Sequence, residues 1–118
     1  MRAILSALVI LALSAPAAGA HAFLDHAVPS VGNSVATPPT TIRLWFTQEL
    51  EPAFSTVEVQ DASGNRVDGG DAAVDAGDPT ILHASLKPLP PGTYHVAWRV
   101  LSVDTHTTEG TFTFTVGR

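Results

Sequence analysis

The stretch that decides the fold is residues 92–106, which reads GTYHVAWRVLSVDTH. Apolar and polar side chains alternate along it, and a period of two is typical of a β-strand with one buried face. The pattern predicts one long strand that ends in Asp104, Thr105 and His106. Side chains two positions apart lie on one face of a strand, about 7 Å apart. We therefore expect Asp104 and His106 to present a carboxylate and an imidazole to the same place.

The first half of this strand predicts part of the core. Tyr94, Val96, Trp98 and Val100 share one face, and Trp98 is expected to lie at the centre of the core. The segment 89–92, which reads Leu-Pro-Pro-Gly, fits a tyrosine corner, in which a buried ring bonds its hydroxyl to nearby backbone. The residue with that role would be Tyr94.

The rest of the chain predicts several shorter strands between turn-forming residues. The predicted strands span 21–29, 41–47, 54–60, 66–67, 81–86 and 111–116. Residues 30–39 and the acidic stretch 68–79 are predicted as loops, and a turn is predicted at 108–110. No segment after residue 20 has helical periodicity. The pattern predicts an all-β fold, a single antiparallel Greek-key β-sandwich of the immunoglobulin type with about seven strands.

The first twenty residues have the composition of a secretory signal peptide. Met1-Arg2 gives a short basic start, residues 3–13 are uncharged and mostly apolar, and residues 18–20 read Ala-Gly-Ala just before the predicted cleavage site. The apolar run is shorter than the roughly 20 residues that span a bilayer. We expect residues 1–20 to be a leader and residues 21–118 to be one exported, periplasmic domain. Its first residue would be His21.

Charge and sulfur content exclude several classes of function. Without Arg2, five of the six Lys and Arg residues would remain beside eleven Asp and Glu residues, giving a formal charge of −6. Such a surface repels nucleic acid. The chain has no Cys, and its single Met is Met1, so the mature domain would have no sulfur ligand. Because Cu(I) prefers thiolate and thioether ligands, a copper site here would favour the oxidised ion.

The residue types at the two ends of the domain indicate a candidate metal site. The free amine of His21 and its ring Nδ1 can chelate one metal ion, and Asp104 and His106 would complete three nitrogens and one oxygen. Such donors in a tetragonal arrangement suit Cu(II), whereas Zn(II) could use the same set but prefers a tetrahedron. A D-x-H sequence also occurs as an ordinary surface pair, so the residue types alone leave a metal-free domain open.

The other ionisable candidates are interpreted as surface residues. His83 and His95 alternate with apolar residues that face inward, and both are expected to face solvent. His26 follows His21 on the first strand and is either solvated or an outer contact of the site. The aspartates of residues 68–78 lack the spacing and the turn glycine of an EF-hand calcium loop, so we expect a solvated loop.

Several short motifs form a set that covers the whole predicted domain. They are His21-Ala22-x-Leu24, Pro29-x-x-Gly32, Leu44-Trp45-Phe46-Thr47, Gly92-Thr93-Tyr94-x-Val96-x-Trp98-Arg99-Val100-x-Ser102-x-Asp104-x-His106, and Gly110. In these motifs the chain resembles the CopC-type periplasmic copper-binding proteins of copper resistance. The resemblance implies a β-sandwich that binds Cu(II) through His21, Asp104 and His106. It also implies transfer of copper to a multi-pass membrane protein of copper transport. We expect a monomer without catalytic activity.

The chain departs from that family pattern in two places. Some relatives carry a Met-rich loop for a second, Cu(I) site, but residues 59–78 contain no Met. One Cu(II) ion per chain is therefore expected. Some relatives also place a Glu directly after the F-[ST] pair as a weak extra ligand. Here Gln48 follows Thr47, and Glu49 comes next. The sequence therefore does not decide whether a second carboxylate, beside that of Asp104, contacts the metal.

Two other functions are compatible with the sequence. An amino-terminal His and a second His also hold copper in copper monooxygenases, which leave positions open for oxygen and bind polysaccharide on a broad face. Here Asp104 would fill one such position, and a small domain leaves little room for that face. The other alternative is a metal-free sandwich for adhesion or assembly. A non-catalytic Cu(II) carrier remains the leading hypothesis.

Overall fold

The computed structural model describes residues 21–117, which form two packed β-sheets. The strands are β1 (Leu24–Val28), β2 (Ser34–Val35), β3 (Thr41–Phe46), β4 (Thr56–Gln60), β5 (Ala73–Val74), β6 (Ile81–Ser85), β7 (Gly92–Leu101) and β8 (Thr107–Val116). The first sheet has the order β1-β3-β6-β5 and the second β2-β8-β7-β4. The predicted all-β sandwich is confirmed. The predicted leader lies outside the described residues.

Neighbouring strands are antiparallel, with the exception of β2 and β8, which pair in parallel. In the part of the chain that the structure describes, a 3-10 turn, Pro52–Phe54, precedes β4. Within residues 21–117 no helix has the length and apolar character required to cross a bilayer.

Two segments predicted as loops contain short edge strands. β2 lies within residues 30–39, and β5 lies within residues 68–79. Conversely, residues 66–67 were predicted as a strand and contribute only an isolated bridge between Gln60 and Arg66. A two-residue strand is too short to show alternation, because the pattern needs at least four positions to be recognised.

The β7–β8 hairpin differs most from the prediction. The expected strand reached His106, but β7 ends at Leu101, which pairs with Thr107 at the start of β8. The turn of the hairpin is therefore at 102–106, and the turn predicted at 108–110 is wrong. Asp104 and His106 lie in this turn and not on a strand.

Gly110 explains why a turn was wrongly placed there. It lies inside β8, opposite Trp98 on β7. A Cβ atom at this position would come within 2.6 Å of the indole Cζ2 of Trp98. Glycine is therefore present because the indole ring lies against the backbone, a recognised use of glycine within strands.

The core between the sheets is centred on residues other than Trp98. Trp98 is only partly buried and meets Phe46 edge-on, with ring centroids 5.1 Å apart. The largest fully buried side chain is Phe114, whose ring stacks on Tyr94 at 5.4 Å. The expectation that Trp98 is the centre of the core is therefore wrong. The tyrosine corner is confirmed, because the Tyr94 hydroxyl donates a hydrogen bond to the Pro90 carbonyl.

The sequence predicts solvated carboxylates in the acidic stretch 68–79, but the structure buries one of them, Asp68. Asp68 is 3% exposed and accepts hydrogen bonds from the backbone N–H groups of Val59 at 2.9 Å and Gly70 at 3.0 Å. The guanidinium of Arg66 approaches the same carboxylate at 2.6 Å. Burial raises the pKa of Asp68, but these hydrogen bonds and the Arg66 charge outweigh burial and lower the pKa below its ordinary value.

We expect Asp68 to make the domain sensitive to acid. An unfolded aspartate titrates near a pKa of about 3.9. The pKa of Asp68 in the folded state is lower, so the unfolded state binds more protons between the two values. Stability is therefore lost as the pH falls from about 4 through the folded-state pKa. Asp68→Asn should cost about 2 kcal/mol at pH 7 and should weaken this acid dependence.

Urea unfolding followed by circular dichroism, at pH 7 and at several values below about 4, measures both effects. Glu109→Gln is a matched control, because Glu109 is exposed and lies 4.0 Å from Arg99 in a weak surface pair. An acid dependence that is unchanged in Asp68→Asn would show that other carboxylates dominate.

Candidate metal centre

The segment after the predicted cleavage site is attached to both sheets. Ala22 is fully buried, and its carbonyl accepts a hydrogen bond of 2.6 Å from the Thr108 hydroxyl. The N–H of Phe23 donates to Thr47 Oγ1 at 2.9 Å, and the N–H of Thr47 donates to the Phe23 carbonyl at 2.9 Å. The Thr47 hydroxyl also donates to the carbonyl of His21 at 3.4 Å. These bonds hold His21 at one end of the sandwich.

The turn at 102–106 lies at the same end and is closed by its own hydrogen bonds. The N–H of Ser102 donates to the His106 carbonyl at 3.0 Å, and the N–H of Thr105 donates to the Ser102 carbonyl at 2.8 Å. Thr105 has a φ of 71°, in the left-handed region that threonine rarely adopts. The directions of Asp104 and His106 are therefore set by a bend, and strand alternation does not apply to them.

Two of the three predicted ligands meet in the folded chain. The rings of His21 and His106 stack with centroids 4.6 Å apart and an angle of 28° between their planes. His21 is half-buried and His106 is exposed, so both imidazoles can be reached from solvent. Phe23 also stacks on His21, at 5.9 Å.

Asp104 lies outside this stacked pair. It is exposed, in the same turn as His106. Across residues 21–117, no three His, Asp or Glu side chains lie close enough to hold a metal ion as they stand. The structure thus brings the two imidazoles together but does not bring Asp104 into a three-residue cluster with them.

The residues considered as additional ligands have different surroundings. The Nδ1 atom of His26 lies 2.7 Å from the Asp25 carboxylate, and its ring stacks on Trp45 at 4.3 Å. His26 is therefore held on the outer face of β1 and β3. Glu49 is beside the turn, because its carbonyl accepts a hydrogen bond of 3.0 Å from the N–H of Val103. Its side chain is exposed.

The two histidines predicted to be solvated differ from each other. His95 is exposed, as expected. His83 is half-buried, and its Nε2 atom lies 3.6 Å from the Asp75 carboxylate. The difference arises because β5, which the sequence did not reveal, pairs with β6 and covers one side of His83.

Thr47 and Thr108 were not identified as site residues from the sequence. Thr47 belongs to a motif, but its pattern gives no partner, and Thr108 was assigned to a turn. Both act on backbone atoms that are distant in sequence, and a hydroxyl of this kind leaves no periodic signal. The only available hint is the position of Thr108, two residues after His106.

Comparison with known proteins identifies the family. The profile of the CopC domain matches residues 24–117. The chain belongs to the CopC family. Protein YobA of Escherichia coli (strain K12) is 36% identical over 111 residues, which cover 93% of this chain and 90% of YobA. Copper resistance protein C of Xanthomonas campestris pv. juglandis is 34% identical over 122 residues, covering 98% and 96%.

A solved structure agrees with this assignment. The crystal structure of CopC from Methylosinus trichosporium OB3b has a TM-score of 0.75 and 37% sequence identity, covering 82% of this chain and 94% of that one. The resemblance found from the motifs is confirmed. CopC family members are copper-binding proteins of copper resistance and are not known enzymes. The family therefore favours the copper-binding hypothesis over both the monooxygenase and the metal-free alternatives.

Proposed function

We propose that the mature chain is a periplasmic carrier that binds one Cu(II) ion where His21 and His106 meet. The observation that carries this proposal is the 4.6 Å separation of the two imidazole rings, whose residues are far apart in the sequence. Cleavage before His21 would add a free amine at the same point. With Asp104, the donors would be three nitrogens and one oxygen, a set that suits Cu(II).

The arrangement of the side chains is compatible with this donor set after a small local change. Stacked rings do not direct their nitrogens at a common point, so at least one imidazole has to turn. His106 and Asp104 are exposed, and exposed side chains change rotamer within nanoseconds. Residues 21–118 contain no sulfur, so no donor of the kind that Cu(I) prefers competes for the ion.

We also propose that the ion is passed to a membrane protein of copper transport through the end of the sandwich that carries the histidine pair. Three exposed apolar side chains lie outside the strands at this end: Phe23, Phe54 and Val103. The segments 47–55 and 102–107 contain Glu49, Glu51 and Asp104 and no Lys or Arg. A partner with a basic and partly apolar surface would complement this end.

The test is the electron paramagnetic resonance spectrum of the mature protein with one equivalent of Cu(II). Three coordinated nitrogens and a one-to-one stoichiometry in calorimetry are expected. Protons compete with the ion for the imidazole and amine nitrogens, so the affinity for Cu(II) should weaken in acid. His95→Ala should leave the spectrum unchanged. A spectrum with no nitrogen coupling, or two equal sites per chain, would contradict the proposal.

A further inference from the structure

We infer that Thr47 and Thr108 form a clamp that positions the amino-terminal half of the copper site before the metal arrives. The inference rests on the proposed function and adds two positioning residues that bind no metal themselves. The clamp consists of the Thr108 hydroxyl on the Ala22 carbonyl and the Thr47 hydroxyl between Phe23 and His21.

The clamp fixes the register of the chain start. The threonine hydroxyls bond only to backbone atoms, and backbone atoms are the same in every residue. Which residue of the chain start occupies each position is therefore decided by the space available for its side chain. Ala22 is 0% exposed, between exposed Phe23 and half-buried His21. A shift by one residue in either direction would bring His21 or Phe23 to the position of Ala22 and would force a ring into a fully buried space. That cost keeps His21 in its place.

The clamp also ties the two imidazoles to each other. Thr108 follows His106 by two residues, at the start of β8. The chain from His106 to Thr108 and the hydrogen bond from Thr108 to Ala22 therefore form a short path between the ligands. Thr47 adds a second attachment from the other sheet, since it directly follows β3.

A chain start that is already ordered binds a metal ion more tightly than one that must be ordered on binding. If the backbone of a single residue has to be ordered when the ion binds, the entropy cost weakens the affinity by on the order of tenfold. The residue fixed here contributes both the amine and one imidazole in the proposed site. Loss of the clamp should therefore weaken Cu(II) binding although no ligand is removed.

The experiment compares Thr108→Val and Thr47→Val with the wild type, since valine keeps the shape and removes the hydroxyl. Thr113→Val on β8 and Thr41→Val on β3 are matched controls at positions without a side-chain bond to the chain start. Each clamp variant should lose roughly tenfold in Cu(II) affinity, measured by chelator competition. Thr108→Ser and Thr47→Ser should restore it, and the controls should bind as the wild type does.

Nuclear magnetic relaxation in the metal-free protein separates positioning from a purely structural role. The amides of Ala22 and Phe23 should be as ordered as the strands in the wild type and mobile on the nanosecond timescale in the clamp variants. Valine variants that keep full affinity and ordered amides would overturn the inference while the proposed function stands. An equal loss of affinity in the control variants would also overturn it.

Failure of the proposed function has a different result. A wild-type protein without Cu(II) binding would remove the copper site, and the clamp would then have no ligand to position. In that case the relaxation data alone would describe how the chain start is anchored, and the inference about copper would be rejected.

Discussion

Replacement of His21 by alanine should weaken Cu(II) binding by on the order of 100-fold or more. Loss of an outer contact to a metal ligand already costs 10- to 100-fold in affinity, and His21 is proposed as a direct ligand. A form with two extra residues ahead of His21 should show a comparable loss, because its amine becomes an amide that no longer chelates. Together the two variants separate the contribution of the amine from that of the imidazole.

His26→Ala is the matched control for this experiment. His26 is near His21 in the sequence, but its ring is held by Asp25 and Trp45 on the outer face of the sheet. Its loss should leave the affinity for Cu(II) unchanged. His106→Ala should be as damaging as His21→Ala. Chelator competition at pH 7 measures all four proteins, and full affinity in the His21 variant would remove the basis of the proposed site.

The effect of Asp104→Ala should be smaller than that of either histidine variant. Asp104 is exposed and lies outside the stacked pair, so in the proposed site its carboxylate would have to move to the ion. Part of its binding energy would be spent on ordering the side chain. A change in the electron paramagnetic resonance parameters, with nitrogen coupling retained, would identify the lost ligand as an oxygen.

Phe114→Ala should destabilise the domain by about 3–5 kcal/mol, which is the usual cost of removing a fully buried aromatic ring. Phe114 is 0% exposed and stacks on Tyr94, so its removal leaves a cavity between the sheets. A domain of this size has a free energy of unfolding of about 5–15 kcal/mol. The loss is a large fraction of that free energy, so the variant should unfold at a clearly lower temperature and urea concentration than the wild type.

Trp98→Ala should cost less, about 2 kcal/mol, because the indole is partly exposed and little of the space it leaves is enclosed. Urea unfolding followed by far-ultraviolet circular dichroism compares the two variants, since Trp98 cannot serve as a fluorescent probe in its own absence. A larger loss in Trp98→Ala than in Phe114→Ala would restore Trp98 as the centre of the core.

The sequence determined the fold class, the family and the candidate ligands. Alternation with a period of two is a local property, and it is present in segments such as 41–47 and 92–101 whatever they pack against. The motif from Gly92 to His106 was specific enough to identify the CopC family. The same motif supplied Asp104 and His106 as ligand candidates, and the end of the leader supplied His21.

The sequence was less informative about where strands end and which side chains are fully buried. Gly110 was interpreted as a turn residue, although it makes room for Trp98 on the neighbouring strand. Trp98 is predicted at the centre of the core because it is large and shares a strand face with Val96 and Val100. Alternation along a strand shows on which side of the sheet a residue lies. How deeply the residue is buried depends on which residues of the opposite sheet cover it.

Only the tertiary structure decided which parts of the site stand together. The stacking of His21 on His106, the two threonine hydroxyls on the chain start, and the burial of Asp68 all join residues from separate elements. Such contacts depend on how the two sheets are superposed and on the exact length of one hairpin. Neither quantity is contained in any single segment, because both follow from packing the whole core at once.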